Sequence, residues 1–273
     1  MKIQFIVPLY IACIFLFCTS CWTPETEIQL EAPAYNKQLV AECYIEEGKP
    51  FKLLLSSLLL VNDKVTLPFV NGAKVYISYN GKTDTLKPAF VVDTLANKFY
   101  NYTSTGLVNT GYKGAFMLSA QSLIMGANVQ SITSFPDSIQ LDTLYYRYAG
   151  NERYYLIMSI KADSLLKDYF RVVVNVNKDS LYFPKLDIQV TDRFANKGKV
   201  TFFSTPRYKL NDTVHVAIYR INKEYYDFER SARGAFQANI NPFSQPQKVV
   251  SNIQGGTGIF TAIRGYKTKL VIQ

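Results

Sequence analysis

His215 is the only histidine in the chain, so any catalytic set that needs an imidazole must use it. A serine or cysteine nucleophile works with a histidine base, and zinc sites draw on histidine and cysteine ligands. His215 lies between Val214 and Val216, in a run typical of a strand. We interpret it as a structural or surface histidine. The alternative, a hydrolase with an unrecognised site, finds no other support in the sequence.

Two further sets of residues could hold a ligand, but their spacing does not favour it. Asp187 and Asp192 could flank a calcium ion or a glycosidic bond, yet nothing in the sequence places their carboxylates face to face. Gly255, Gly256 and Gly258 lack the Lys-Ser/Thr that completes a phosphate-binding loop, and we interpret them as a tight turn between strands. The sequence therefore predicts a protein that is not an enzyme and uses no cofactor or metal ion.

Tyrosine and arginine cluster between residues 145 and 155. These residue types are enriched at interfaces, although alternation along strands would turn half of the rings into a core. One alternative for the function is therefore a surface glycan-binding or adhesin module. It ranks second, because sugar sites usually stack on exposed Trp or Tyr and the only Trp, Trp22, lies outside the predicted fold. The candidate binding surface consists of Tyr146, Arg147, Tyr148, Arg153 and Tyr154.

The first residues have the composition of a signal peptide. Lys2 is the only early charge, and the run from Ile3 to Phe17 is almost entirely apolar. A transmembrane anchor is the alternative, but a helix needs about 20 apolar residues to cross a bilayer. This run is shorter and ends in small residues. We therefore predict a cleaved signal peptide over residues 1–20.

Cys21 follows Thr19 and Ser20, and small residues before a cysteine resemble a lipobox, where a bacterial signal peptidase cuts ahead of a diacylated cysteine. Cys18 stands where that motif prefers leucine. More than one acyl chain on Cys21 would give stable anchoring, since each buried methylene contributes about 0.8 kcal/mol. Trp22 replaces the aspartate that retains many lipoproteins at an inner membrane. We expect an outer-membrane lipoprotein, on either the periplasmic or the cell-surface face.

Cleavage would leave Cys43 as the only free thiol, because Cys13 and Cys18 are removed and Cys21 is acylated. We therefore expect no internal disulfide, and a buried, small apolar role for Cys43. The formal charge of +9 could suggest nucleic acid or anionic lipid as a partner. The basic residues are scattered, however, and an exported protein has little access to nucleic acid. We expect a generally solvated basic surface.

Residues 21–37 are polar and contain two prolines, which predicts a lipidated tether. From residue 38 to about 133, short β-rich runs alternate with turn residues, a pattern typical of a sandwich. Asn80-Gly81 predicts a hairpin turn, because both positions of a type I′ turn need positive φ. We predict a first β-sandwich domain over residues 38–133, with strands that include Leu39–Glu46, Phe51–Leu60 and Lys74–Tyr79.

A proline and small polar residues between Ser131 and Pro136 predict a boundary, so residues 134–273 would form a second β-rich domain. We expect strands there at 139–148, 154–161, 169–176, 186–191, 199–203 and 213–219.

A single amphipathic helix is predicted near residues 222–235 of the second domain. Asn222 can cap its start and Gly234 can end it. The helical spacing of the apolar residues defines one face: Tyr225, Phe228, Ala232 and Phe236.

The C-terminal stretch contains a series of short motifs: Asn241-Pro242-Phe243, Gln245-Pro246, Ser251-Asn252-Ile253, Gly255-Gly256 and Gly258-Ile259-Phe260. With these motifs the stretch resembles the domain of unknown function 4249 family, lipoproteins of the Bacteroidota outer envelope. Weaker similarity extends the resemblance over the whole exported portion, in Leu39-Val40-Ala41-Glu42, Pro136-Asp137-Ser138-Ile139 and Asp168-Tyr169-Phe170-Arg171. Cys43 stands where the family pattern has glycine.

The resemblance implies an immunoglobulin-like or transthyretin-like sandwich followed by a second β-rich domain. It also implies association with a TonB-dependent outer-membrane transporter. The first hypothesis is therefore a non-catalytic binding or scaffold accessory of such a transporter, held on the membrane by its acyl chains.

Overall fold

The computed structural model describes residues 38–58, 68–93, 98–162, 167–176, 186–241, 243–245 and 247–273. The predicted signal peptide, the tether and Cys21 lie outside these residues, as do Leu59 and Leu60 at the end of a predicted strand. The described residues belong to one compact unit. They are mostly β, with sandwich-like sheets and one α-helix among them, which confirms the predicted fold class.

Fourteen strands and the helix follow one another along the described chain. Strands β1 to β7 are Leu39–Glu46, Pro50–Ser57, Lys74–Tyr79, Lys82–Asp93, Lys98–Leu107, Ala115–Ser122 and Ala127–Ser134. Strands β8 to β13 are Leu141–Gly150, Arg153–Lys161, Tyr169–Val176, Leu186–Thr191, Lys199–Phe203 and Thr213–Ile221. Helix α1 is Lys223–Ile240, and β14 is Gly256–Val271. The predicted bounds of β1, β3, β10, β11 and β12 are confirmed.

The strands form two hydrogen-bonded sheets. The larger has 11 strands in the order β11-β10-β13-β14-β1-β2-β5-β4-β3-β6-β7, and the smaller has the order β12-β9-β8. Residues 256–263 of β14 pair in parallel with β1. Residues 264–271 pair antiparallel with β13. The last strand therefore joins strands from the two halves of the chain.

Two main clusters of buried side chains fill the space between the strands. The first draws on β1 to β7 and also contains Ile253, Phe260 and Ala262 from the C-terminal region. The second draws on β9, β10, β12 and β13 and contains Ile272. The C-terminal segment thus contributes to both cores. Independent domains divided at residue 133 remain a prediction.

The buried face of β1 shows how alternation builds the first core. Leu39, Ala41, Cys43 and Ile45 are all 0% exposed, and the residues between them are only partly buried. Burial of each larger side chain among them stabilises the fold by roughly 1.5–3 kcal/mol. The expected buried role of Cys43 is confirmed, and burial raises the pKa of its thiol.

The predicted hairpin turn joins β3 to β4. Asn80 and Gly81 have φ of 47° and 69°, as a type I′ turn requires. The glycine stretch near residue 256 is more than a turn, because Gly256 and Gly258 lie within β14. A Cβ on Gly256 would lie 2.4 Å from the carbonyl oxygen of Leu39. These glycines allow β14 to approach the backbone of β1 closely.

Helix α1 begins where the sequence predicted but ends later. Gly234 lies inside the helix, where a Cβ would lie 1.6 Å from Gln247 Oε1. The glycine therefore accommodates a neighbouring segment instead of ending the helix. Phe236 is 65% exposed, so its predicted place on the buried face is wrong. Ser231 lies on the buried face instead. Its hydroxyl group is satisfied there, because it donates to Phe228 O and accepts from Val250 N.

Candidate functional site

The residues considered for catalysis or ligand binding have different partners in the structure. His215 is exposed on β13, opposite Asn175 and Lys269 in the flanking strands. Asp187 accepts hydrogen bonds from Arg171 at 2.9 and 2.7 Å. Asp192, in contrast, accepts one from the backbone N–H of Asp168 at 3.0 Å. The two carboxylates thus have separate structural partners. Within the described ranges, no group of three or more potential metal ligands forms.

The five residues of the candidate binding surface lie in the β8–β9 hairpin, but not on one face. Tyr146, Tyr148 and Tyr154 share a face, with ring centroids 5.7 Å apart for Tyr146–Tyr154 and 5.4 Å apart for Tyr148–Tyr154. Arg147 lies on the opposite face of the hairpin, because side chains alternate along a strand, and its guanidinium lies over the ring of Tyr145. Arg153, at the end of the hairpin, donates to Arg207 O at 3.4 Å.

Exposure further divides these five residues. Tyr148 is 62% exposed, whereas Tyr146 and Tyr154 pack against the second core. The Tyr146 hydroxyl donates to Gln273 O at 2.8 Å and accepts from Gln273 N at 3.0 Å. Tyr146 therefore holds the end of the chain, and the structure does not bring the five residues into one recognition surface.

Three large apolar side chains are exposed where α1 ends, and we call them the helix-end cluster. Phe236, Ile240 and Phe243 are 65%, 66% and 94% exposed. Beyond the helix, Asn241 Oδ1 accepts from Phe243 N at 3.1 Å, which closes a turn. Sequence reasoning missed this cluster, because helical spacing alone placed Phe236 in the core. The Asn-Pro-Phe motif was the available signal.

A cavity of about 450 Å³ lies between β7, β14 and the start of α1. Ala115, Ile132 and Phe260 contribute its apolar lining. The polar residues of its lining are Thr133, Ser134, Asn222, Glu224, Asn252 and Thr261. These residues come from segments far apart in the chain, so sequence reasoning did not find them. We call this site the polar cavity.

Tertiary contacts hold the start of α1 beside the polar cavity. Tyr225 is buried, and its hydroxyl accepts a hydrogen bond from Arg171 at 2.5 Å. Burial raises the pKa of the Tyr225 phenol, so this group stays neutral. Its ring also meets Tyr44 of β1 edge-on, at 5.4 Å between centroids. These contacts fix the first turn of the helix against the sheet.

Asn252 holds the other wall of the polar cavity. Its side chain donates to Phe260 O at 2.8 Å and accepts from Phe260 N at 3.0 Å. Its backbone carbonyl accepts from Ser131 Oγ at 2.8 Å. The Ser-Asn-Ile motif thus pins the segment before β14 to both β14 and β7.

Asn222 occupies the N-cap position of α1 but does not act as the predicted cap. Its side chain makes no hydrogen bond to the first turn of the helix. It donates instead to Thr133 Oγ1 at 3.3 Å and to Ser134 O at 3.0 Å. Asn222 therefore links the helix to the end of β7 across the polar cavity.

These features define a mostly β protein with one packed helix, an exposed apolar cluster and a polar cavity. In the described part of the chain, no helix is long and apolar enough to cross a membrane.

The chain belongs to the family described as domain of unknown function (DUF4249), which matches residues 25–269. A comparison with curated proteins gives no match. Among solved structures, the chain is similar to bovine butyrophilin at 9% identity, over 68% of this chain and 92% of that chain, with a TM-score of 0.19. That likeness is too slight to carry an argument.

Proposed function

We propose that this protein is a non-catalytic lipoprotein of the Bacteroidota outer membrane that binds a TonB-dependent transporter as an accessory or scaffold. The predicted signal peptide and Cys21 support the location at the outer membrane. Membership of the family supports the association with a transporter. The helix-end cluster is the observation that carries a binding role. Large exposed apolar groups close together are typical of surfaces that meet another protein.

The helix-end cluster has the composition of a docking surface. Phe236 and Ile240 are four residues apart in α1, so their side chains lie on one face of the helix. Phe243 follows in the turn and is almost fully exposed. Aromatic residues often act as the anchors of protein interfaces. A transporter barrel in the same membrane is the partner proposed for this cluster.

Lipid attachment is tested by metabolic labelling with an alkyne-bearing fatty acid. The wild-type protein should take up the label and fractionate with the outer membrane. Cys21→Ala should lose both properties, because it lacks the thiol that is acylated. Cys43→Ala is the matched control and should keep both. Equal labelling of the wild type and Cys21→Ala would refute the lipoprotein proposal.

Partner binding is tested by placing a photo-crosslinking amino acid at single positions in the native lipoprotein. Irradiation of intact envelopes with the probe at Ile240 or Phe243 should capture one large β-barrel transporter, identified by mass spectrometry. Ile124, in the β6–β7 turn, is 87% exposed and serves as an equally accessible control. No capture from the helix-end cluster, or equal capture from Ile124, would contradict this docking surface.

A further inference from the structure

The smaller sheet ends in a strand whose outer edge is open. β8 is the last strand of the order β12-β9-β8, and among the described residues it pairs only with β9. All ten residues of β8 are at least partly exposed. A strand at the edge of a sheet presents N–H and C=O groups that can pair with another chain. We call this row of backbone groups the β8 edge.

Hydrogen bonding in β9 shows which backbone groups of β8 point outwards. Ser204, directly after β12, donates its N–H to Leu156 O at 3.0 Å, so the backbone polar groups of Leu156 point away from β8. Leu156 lies opposite Tyr146. The N–H and C=O of Tyr146 therefore point away from β9, as in any non-hydrogen-bonded antiparallel pair. The same alternation turns the backbone groups of Leu144 and Tyr148 outwards, where no described group bonds to them.

The other edge strands of the described sheets are less available. β7 forms an isolated bridge with Gln254, and its end is held by Asn222. β11 and β12 are short, with six and five residues. β8 has ten residues and contains neither lysine nor proline, the residues that commonly protect an edge. Its register is regular from Thr143 to Tyr148. The β8 edge is therefore the longest unprotected edge among these strands.

We propose that the β8 edge binds an extended, acidic peptide segment of another protein, which adds a fourth strand to the smaller sheet. Donors and acceptors repeated at strand spacing, about 3.4 Å per residue, match the backbone of another strand. Thr143, Tyr145 and Arg147 are exposed on one face of β8 and would meet alternate side chains of the added strand. This inference does not depend on the proposed transporter or on the helix-end cluster.

Arg147 sets the charge of the peptide. β8 contains two charged residues, Asp142 and Arg147. Asp142 forms an ion pair with Lys199 at 2.9 Å, whereas Arg147 has no ion pair within the described ranges. An acidic side chain opposite Arg147 would form a favourable cross-strand pair. A second copy of this chain, with a formal charge of +9, would bring positive charge to the edge instead. Charge therefore favours an acidic peptide over self-pairing.

The test begins with selection from a random library of displayed peptides about nine residues long, within the usual length of a strand. The full-length protein in detergent is the bait. Enriched peptides should carry Asp or Glu, and a synthetic copy of the most enriched one should bind saturably in fluorescence anisotropy. Two N-methylated forms of this peptide, each modified at one alternating set of residues, then report on strand pairing. One set should weaken binding by about tenfold or more, and the other by less than about threefold, because only one set faces β8.

Tyr148→Pro makes the corresponding change in the protein. It removes an outward N–H at an edge position, where proline is tolerated, and should weaken peptide binding by about tenfold or more. Tyr148→Ala is the matched control, since it loses the same ring but keeps the N–H, and should bind within about threefold of the wild type. Arg147→Gln should weaken binding of the acidic peptide by about two- to fivefold. Urea unfolding shows whether each variant folds.

Loss of binding confined to one N-methylated peptide and to a folded Tyr148→Pro supports the proposal. If Tyr148→Pro does not fold, the two N-methylated peptides decide alone. Selection without enrichment overturns the proposal, as does equal binding of both N-methylated forms. Equal loss in Tyr148→Ala and Tyr148→Pro also overturns it, because binding would then depend on the ring. Sedimentation of the protein alone tests self-pairing: a dimer that Tyr148→Pro dissociates would identify a second copy as the occupant and overturn the proposal.

Discussion

Gly258→Ala should strongly destabilise the fold, because this glycine allows β14 to lie beside β1. The added Cβ would lie 2.0 Å from the Ala41 carbonyl oxygen and 2.8 Å from its carbon. These are backbone atoms, which cannot swing aside as a side chain does. Gly258 also has φ of +125°, a conformation that residues with a Cβ rarely adopt.

Two costs combine at Gly258. Unfavourable backbone angles cost on the order of 1–3 kcal/mol, and forcing an extra methyl into a packed site costs about 1–3 kcal/mol. Their sum, about 2–6 kcal/mol, is a large fraction of the roughly 5–15 kcal/mol that stabilises a typical domain. The strands on both sides of β14 should be affected, since β14 pairs with β1 and with β13.

Urea unfolding followed by circular dichroism measures this effect as a change in midpoint. Gly265→Ala is the matched control on the same strand. Its Cβ would meet ring atoms of Tyr219 at 2.8 and 3.0 Å, and that ring belongs to a side chain that can adjust. We expect Gly265→Ala to lose less than half as much free energy of unfolding. Equal losses, or a loss below about 1 kcal/mol for Gly258→Ala, would refute the close-approach argument.

Further predictions concern stability and reactivity. Burial raises the pKa of the Cys43 thiol, so iodoacetamide at pH 8 should label it only as the protein unfolds in urea, and rapid labelling of the native protein would contradict this. Tyr146→Phe should lower the free energy of unfolding by about 1 kcal/mol, because it removes the hydrogen bonds to the backbone of Gln273. Tyr148→Ala should change the free energy of unfolding by less than about 0.5 kcal/mol, because that ring is 62% exposed. Asp168→Asn should lower the free energy of unfolding by about 3 kcal/mol, since it leaves the largely buried side chain of Arg220 without its carboxylate partner. Asp142→Asn, at a more exposed ion pair, is the control.

Sequence reasoning predicted those strands whose alternation is local. Leu39–Glu46 and Tyr169–Val176 have the predicted bounds, because an apolar residue that becomes buried stands at every second position over most of each strand. The start of the helix was also correct, since a polar residue precedes an apolar helical repeat there. Its end was wrong because Gly234 meets Gln247, a contact that no local pattern reports.

The candidate sites also depend on contacts that a local sequence pattern does not report. The Tyr and Arg cluster was visible as composition, but strand pairing divided it between two faces. The polar cavity was invisible, because Thr133, Asn222 and Thr261 are separated by long stretches of chain. Only the Ser-Asn-Ile and glycine motifs marked the segment that forms its wall.

The sequence by itself determined the strand-rich fold class, the Asn80-Gly81 hairpin and the burial of Cys43, since each depends on residues adjacent in the chain. Only the tertiary structure decided that β14 pairs in parallel with β1, contributes to two cores and lines the polar cavity. Parallel pairing brings together residues more than 200 positions apart. Its specificity comes from backbone approach and packing, which a one-dimensional pattern does not encode.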